Sequence, residues 1–166
     1  MKFNIPNAWE KISESEYAQH HIQNDAKMKC EAAYKVSNNG SETVVTYYYL
    51  GKGNSKYLDL IEKINIENQE INELIDGDEN AGDYEDTSLS RLICHKRFKA
   101  NNKEYFMHIS KLHLDETVYA NVFQIYALDG DDFYCCQCYL PEENICFDSN
   151  SLNKNYIIGQ ILESVK

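Results

Sequence analysis

The cysteines near the C-terminus are the residues of this chain whose type and spacing come closest to a chemical site. Cys135, Cys136 and Cys138 surround Gln137, and Cys146 follows downstream. A structural zinc site needs four thiolate or imidazole ligands in tetrahedral geometry, usually supplied by C-x2-C turns. The spacing here is C-x-C on a predicted strand, without a second ligand pair. The pattern therefore favours cysteines that pack as small apolar side chains, with metal binding and redox chemistry as less favoured alternatives.

The alternation of a strand divides these cysteines between two faces of the predicted sheet. Cys136 and Cys138 should share one face, and Cys135 should lie on the other with Phe133 and Tyr139, because successive side chains of a strand point in opposite directions. This placement separates the thiols instead of gathering them. It is a further reason to expect packing rather than a metal site.

The histidines form no recognisable catalytic pair. Those on predicted strands are His95, His108 and His113. Cys94 and His95 are adjacent on a strand and should face opposite ways, so they cannot act together as nucleophile and base. A partner on another strand stays open, but half-buried structural histidines are the favoured interpretation. The pair His20-His21 has no partner that the sequence identifies.

An acidic stretch at residues 76–86 imitates the first half of a calcium loop. Asp76, Asp78 and Asn80 alternate as oxygen ligands would. A calcium loop also needs glycine at its sixth place and glutamate at its twelfth, and these places hold Ala81 and Thr87. We expect a solvated loop, with weak cation binding as a minor alternative.

Motifs with known catalytic mechanics are missing from the sequence. It contains no G-x-S-x-G elbow, no G-x-x-x-x-G-K-[ST] phosphate loop, no G-x-G-x-x-G and no H-E-x-x-H. The run Gly51-Lys52-Gly53 before a predicted helix is too short to count as an anion-binding motif. No residue is therefore assigned as catalytic, cofactor-binding or metal-binding, and no cofactor is predicted.

Composition predicts one acidic globular domain over residues 1–166. The apolar fraction is 43%, and 13 tyrosines suit half-exposed sheet faces and interfaces. The formal net charge of -11 would repel the phosphates of nucleic acids and of anionic membranes, so neither is an expected partner. A basic protein partner is compatible with this charge.

The sequence predicts a soluble cytoplasmic protein. No run approaches about 18 consecutive apolar residues, the length that a membrane span needs. The N-terminus has no apolar signal core, so the six cysteines are expected to be reduced thiols.

Apolar periodicity and turn residues predict an antiparallel sheet with helices. Strands are predicted at 3–5, 27–36, 43–50, 89–98, 105–114, 117–128 and 133–140, and helices at 54–75 and 156–165. Residues 13–22 could form a short helix or an irregular crossing segment. The 43–50 strand is bulky on both faces and therefore needs cover on both sides.

The longer predicted helix carries a wide apolar stripe. Its members are Tyr57, Leu58, Leu60, Ile61, Ile64, Ile71, Leu74 and Ile75. Asn54 or Ser55 is the candidate N-cap, and Asn68 leaves open one bent helix or two shorter ones. The stripe is interpreted as a core face. An exposed partner-binding groove is the minor alternative.

Two stretches resemble the PsbP-like superfamily. The opening Phe3-Asn4-Ile5-Pro6-Asn7-Ala8-Trp9 is similar to the family's alternating strand, proline and tryptophan. The end, Tyr139-Leu140-Pro141 followed by Ile158-Gly159-Gln160-Ile161-Leu162-Glu163-Ser164-Val165, is similar to its last strand and its I-x-x-I-L-x-S helix. The order of elements resembles the family over nearly the whole chain. These motifs mark a tryptophan plug and a covering helix, not a site.

The resemblance implies an α+β fold, an α/β/α sandwich around a central antiparallel sheet. Members of the family are mostly non-enzymatic binders, and some bacterial relatives are adaptor chaperones that load secreted effectors. No partner-binding motif is shared, so the resemblance identifies no partner.

The expected function is therefore that of a non-enzymatic protein-binding module, an adaptor or chaperone-like factor. The partner could be a secreted effector or a toxin. An acidic immunity protein that neutralises a basic toxin is the alternative among binding functions. A thiol- or metal-dependent enzyme is the less favoured alternative from another class.

Overall fold

A computed structural model describes residues 3–17, 29–38, 40–77, 91–115, 118–140 and 145–166. Within them the chain forms a seven-stranded antiparallel sheet with three helices. The strands are β1 (Glu10–Lys11), β2 (Lys29–Asn38), β3 (Ser41–Lys52), β4 (Arg91–Ala100), β5 (Lys103–Asp115), β6 (Val118–Asp129) and β7 (Asp132–Leu140). The helices are α1 (Glu14–Tyr17), α2 (Ser55–Gly77) and α3 (Ile157–Val165). A sheet-rich α+β class is therefore confirmed.

The strand order across the sheet is β1-β2-β3-β7-β6-β5-β4. The pairs β2–β3, β4–β5, β5–β6 and β6–β7 are hairpins, as their short turns predicted, and β3 pairs with β7 to join the two halves of the chain. Residues with a positive φ close the hairpins: Gly40 at 83°, Asn101 at 52°, Asn102 at 62° and Gly130 at 61°. Glycine and asparagine tolerate this backbone region better than other residues.

Each face of the sheet has its own apolar cluster, because side chains alternate along every strand. On one face, Met107 and Phe123 belong to a large cluster that includes the buried side of α3. On the other face, Phe106 and Phe133 pack with Leu58 of α2 in a smaller cluster. The two longer helices therefore contact opposite faces of the sheet.

Trp9 closes the large cluster beside β2, near one edge of the sheet. It is 8% exposed, and its indole Nε1 donates a hydrogen bond to Gln160 Oε1 of α3 at 3.0 Å. The predicted role of Trp9 as a plug at one end of the core is confirmed.

The prediction of a strand at 3–5 is wrong. The amide of Asn4 donates to the carbonyl of Ser164 at 2.8 Å, so this segment pairs with the end of α3 instead of with a strand. The sheet begins at β1, where Glu10 lies opposite Lys35. Alternating side chains alone do not distinguish a ladder strand from an extended segment that a helix end holds.

Helix α3 is buried on most sides and approaches the preceding loop closely. A Cβ on Gly159 would lie 2.1 Å from the carbonyl oxygen of Asn153, so only glycine fits there. The hydroxyl of Tyr47 lies 2.6 Å from that of Ser164, and the hydroxyl of Tyr105 donates to the carbonyl of Val165 at 2.9 Å. These contacts fix the helix on β3 and β5.

Helix α2 is one continuous helix, capped by Asn54. The amide of Lys56 donates to Asn54 Oδ1 at 3.0 Å. The predicted acidic loop begins later than expected, because Asp76 and Gly77 still belong to the helix. The rest of that loop lies outside the described residues.

Candidate functional site

Helix α2 carries the large exposed apolar side chains of the described structure. Tyr57 is 46% exposed, Leu60 55% and Ile64 45%, whereas Leu58 on the same helix is fully buried. Residues three and four apart share one side of a helix, so these three form a continuous surface, here called the α2 stripe. The interpretation of the apolar stripe as a core face is wrong for these three residues. It holds for Leu58, which packs in the smaller cluster.

An ion network around Arg97 shows which flank of α2 faces β4 and β5 of the sheet. The guanidinium of Arg97 on β4 pairs with Asp59, with Glu62 at 3.1 Å and with Glu104 of β5 at 3.4 Å. These hydrogen bonds raise the pKa of Arg97 against the effect of burial, with Asp59 the largest cause. One flank of the helix is therefore fixed to β4 and β5.

The start of the α2 stripe lies toward the middle of the sheet. The ring of Tyr57 is 5.9 Å from that of Phe133 on β7, as measured between centroids. Gly53 leaves room for that tyrosine, since a Cβ there would lie 2.4 Å from the Tyr57 ring. Tyr57 is thus held in place at one side while almost half of it faces solvent.

An acidic groove borders the α2 stripe. It is lined by Asp59, Glu62, Lys63, Ile66 and Glu67, and its three carboxylates outnumber the Lys63 ammonium and the Arg97 guanidinium that pairs with two of them. The Lys63 ammonium pairs with Glu67 at 3.6 Å across one helical turn. The surface beside the α2 stripe is therefore negative, which favours basic groups on whatever contacts it.

A second feature is a row of polar side chains that crosses the sheet on the α2 face. Cross-strand pairing aligns His95, His108, Gln124, Gln137 and Thr46 on five neighbouring strands. Gln124 Nε2 donates to Gln137 Oε1 at 2.7 Å, and Thr46 Oγ1 donates to the Gln137 carbonyl at 3.4 Å. The row links β3, β7 and β6 by directional bonds that apolar residues would not supply.

His108 is the buried titratable group of this polar row. It is 5% exposed, and its Nδ1 lies 3.0 Å from the hydroxyl of Ser110. Burial lowers its pKa to about 4, with the neighbouring Gln124 opposing the shift and the charge of His95 adding to it. His108 is therefore neutral at physiological pH.

Two buried nitrogen atoms of the polar row lack a hydrogen-bond partner. These are Nε2 of His108 and Nε2 of Gln137, considered within the described residues. The side chain of Gln124 lies near enough to His108 to oppose the lowering of its pKa. It makes no hydrogen bond to His108 Nε2. Ser110 is 6% exposed, and its contact with His108 joins two side chains of the same strand inside the sheet.

Cys135, Cys136 and Cys138 are buried in the sheet. Cys136 and Cys138 belong to the large cluster, and Cys135 pairs with Tyr48 and Tyr126 on the other face. Burial raises the pKa of the Cys135 thiol to about 12 and raises those of the other two as well. All three are protonated, apolar packing groups at neutral pH.

No group of three or more metal-ligating side chains converges in the part of the chain that the structure describes. Cys146 lies apart from the three buried cysteines, next to Cys94 of β4. That neighbourhood had no sequence signal, because Cys146 precedes α3 in an irregular segment. Asp78 and Asn80 of the calcium-like pattern, His20-His21, and the side chain of His113 fall outside what is described.

None of the described helices is long and apolar enough to cross a membrane. Comparison with family models and with curated proteins finds no match to this chain.

Proposed function

We propose that this chain is a non-enzymatic protein-binding module, an adaptor or chaperone-like factor, that receives its partner on the α2 stripe. The observation that carries the proposal is the exposure of Tyr57, Leu60 and Ile64 along one side of a single helix. Single exposed apolar residues are ordinary on protein surfaces, but a contiguous apolar surface rimmed by polar groups is typical of an interaction site.

The chemistry of the α2 stripe favours an amphipathic partner helix. Apolar anchors at spacings of three and four residues match the repeat of a helix that packs alongside. A partly immobilised tyrosine such as Tyr57 suits an anchor of the contact, since little side-chain freedom remains to be lost on binding. Leu60 and Ile64 extend the contact by about two helical turns.

Charge adds a second requirement on the partner. The groove of Asp59, Glu62 and Glu67 beside the α2 stripe is negative, and the chain as a whole has a net charge of -11. A partner segment with apolar residues on one side and lysine or arginine on the flank fits both surfaces. A secreted effector with such a segment is the partner class that the adaptor function implies.

The resemblance to the PsbP-like superfamily supports the same function. Helices α2 and α3 contact opposite faces of the sheet, which is compatible with the proposed α/β/α sandwich. Binding without catalysis is the expected activity of that family.

An acidic immunity protein is a second candidate, favoured by the net charge of -11. In that function the partner would be a basic toxin, and the negative groove beside α2 would contact its positive surface. The identity of the captured partner separates the two candidates.

Affinity capture from the source cells, followed by reconstitution with the purified partner, tests the proposal. We expect the Leu60→Ser/Ile64→Ser double variant to raise the dissociation constant by about 10- to 100-fold, because it removes two of the three apolar side chains of the α2 stripe. Glu163→Ser, an exposed change on α3, is the matched control and should leave binding unchanged.

Urea unfolding distinguishes lost binding from lost fold. The double variant should keep the free energy of unfolding within about 1 kcal/mol of the wild type, since both side chains face solvent. Leu58→Ala, on the buried side of the same helix, should lower it by about 2–5 kcal/mol. Equal partner binding by the double variant, or turnover of a small substrate without any partner, would contradict the proposal.

A further inference from the structure

Cys94 of β4 lies against the segment that precedes α3. Its Sγ donates to the carbonyl oxygen of Ile145 at 3.8 Å, and the next two residues, Cys146 and Phe147, lie close enough to influence its pKa. Cys94 and Cys146 are both thiols, and no disulfide joins them. Two thiols that are neighbours in the fold but far apart in the sequence are a different arrangement from the three packed cysteines of β7.

The two thiols differ in exposure. Cys146 is exposed to solvent, whereas Cys94 is half-buried between β5 and the 145–147 segment. Burial, followed by the neighbouring Cys146, raises the pKa of Cys94 to about 11. Cys94 is therefore a protonated thiol at neutral pH, and Cys146 is the sulfur that a dissolved oxidant reaches first.

We propose that Cys94 and Cys146 form a redox-active pair that hydroperoxides convert to an intramolecular disulfide, with Cys146 as the attacking thiol and Cys94 as the resolving one. The site is independent of the α2 stripe, since Cys94 pairs with Ile109 of the large cluster, on the sheet face that α2 does not cover. Failure of the partner experiment would leave it untouched.

The chemistry proceeds in two steps. The Cys146 thiolate attacks one oxygen of the hydroperoxide, whose O–O bond breaks, giving the Cys146 sulfenic acid and, after protonation, an alcohol or water. The sulfur of Cys94 then attacks the sulfenic sulfur, the S–O bond breaks, and the departing hydroxide takes the Cys94 proton as water. The hydroperoxide gains the two electrons that the two thiols lose. A dithiol reductant reverses the outcome.

The disulfide would link two parts of the fold that the sheet does not join. β4 is the last strand in the order, and the 145–147 segment leads toward α3. The bond would therefore tie a strand at the sheet edge to the chain that precedes the buried helix. Oxidation should make the opening of this edge strand less frequent without changing the rest of the sheet.

Titration of the reduced full-length chain with hydrogen peroxide tests the pair. We expect two of the six thiols to be lost, with an intact mass lower by two hydrogens and a cross-linked peptide that joins residues 94 and 146 on non-reducing digestion. Dithiothreitol should restore all of them. Amide hydrogen exchange in β4 should become slower in the oxidised protein.

Variants assign the two roles. Cys146→Ser should abolish the disulfide and the first oxidation, and Cys94→Ser should let the Cys146 sulfenic acid accumulate as an adduct with a 1,3-dicarbonyl trap. Cys30→Ser, a half-buried thiol of β2, is the matched control and should leave disulfide formation unchanged. A Cys146 that overoxidises or dimerises between chains while Cys94 stays reduced in the folded wild type would overturn the proposal.

Discussion

Burial determines the protonation state of individual side chains in this protein. His108 stays neutral and Cys135 stays a thiol for the same reason, because each would lose its hydration if it became charged. Lys52 and Asp132 show the opposite case at the surface. Their ion pair at 2.8 Å raises the pKa of the lysine and lowers that of the aspartate. Burial therefore keeps His108 and Cys135 neutral, whereas an ion pair at the surface keeps both of its members charged.

The depressed pKa of His108 predicts a loss of stability in mild acid. The folded pKa is about 4, whereas an unfolded histidine titrates near 6.5, so between these values the unfolded chain binds a proton that the native chain does not. The contribution is fully present above pH 6.5 and is lost as the pH falls toward 4. We expect the free energy of unfolding to fall by about 3 kcal/mol over this range.

Urea unfolding at a series of pH values measures this contribution. His108→Gln should remove most of the slope between pH 6.5 and 4, while His95→Gln on the exposed neighbour should retain most of it, because burial is the larger cause of the shift. Carboxylates such as Glu104 contribute a background common to all variants, so the difference between variants is the relevant quantity. Parallel profiles for wild type and His108→Gln would show that His108 titrates normally.

The two long helices have different relations to the sheet. α3 buries Ile157, Ile158, Ile161, Leu162 and Val165 and is held at its end by the hydroxyls of Tyr47 and Tyr105. α2 buries Leu58, ties one flank to Arg97 and leaves the α2 stripe exposed. A helix that closes a core and a helix that offers a surface therefore occur on the same sheet.

Gly159→Ala should destabilise the protein although alanine normally favours a helix. The expected gain of about 0.5–1 kcal/mol from propensity is opposed by a Cβ that would lie 2.1 Å from the Asn153 oxygen and 2.8 Å from that of Leu152. Because these are backbone atoms, they cannot rotate away. We expect a net loss of about 1–3 kcal/mol in urea unfolding.

Glu163→Ala, on the exposed side of α3, is the control for this substitution. It should change the free energy of unfolding by less than about 0.5 kcal/mol. A Gly159→Ala protein as stable as the wild type would mean that the loop before α3 can move away from the helix.

Local pattern predicted most elements, because hairpins and amphipathic helices are encoded by neighbouring residues. The turn at Gly40, the meander of β4 to β7 and the helix from Ser55 all lie within a few residues of their predicted positions. The pairing of β3 with β7 was not predictable in this way. It joins residues at least 80 positions apart, as in the pair of Thr46 and Gln137, and short-range periodicity does not encode it.

The surface features were harder to predict than the core. The apolar residues of α2 span too wide an arc to be buried on one face of the helix. Leu58 fills the contact with the sheet, and Tyr57 and Leu60 lie beside it and stay exposed. The width of this arc was the sequence signal for the α2 stripe. The proximity of Cys94 and Cys146 had no such signal. It depends on how an irregular segment crosses an edge strand.

The charge of the whole molecule is expected to act on the rate of association more than on the fold. A net charge of -11 produces a long-range field that attracts a basic partner, and dissolved salt screens such fields beyond about 8 Å at physiological ionic strength. The apolar contact at the α2 stripe is not screened in this way. The two contributions should therefore separate in binding kinetics.

Raising the salt concentration should slow association with the partner and leave dissociation nearly unchanged. Between about 0.05 and 0.5 M NaCl we expect the association rate constant to fall about tenfold or more, because steering is lost while the short-range contacts persist. Stopped-flow or surface-based kinetics measure both constants.

Glu67→Gln in the acidic groove should weaken the salt dependence, and Glu163→Gln on α3 should change it less, although both remove one charge. An association rate that salt leaves unchanged would assign recognition to the apolar surface alone, and an equal effect of the two substitutions would assign steering to the net charge instead of to the groove.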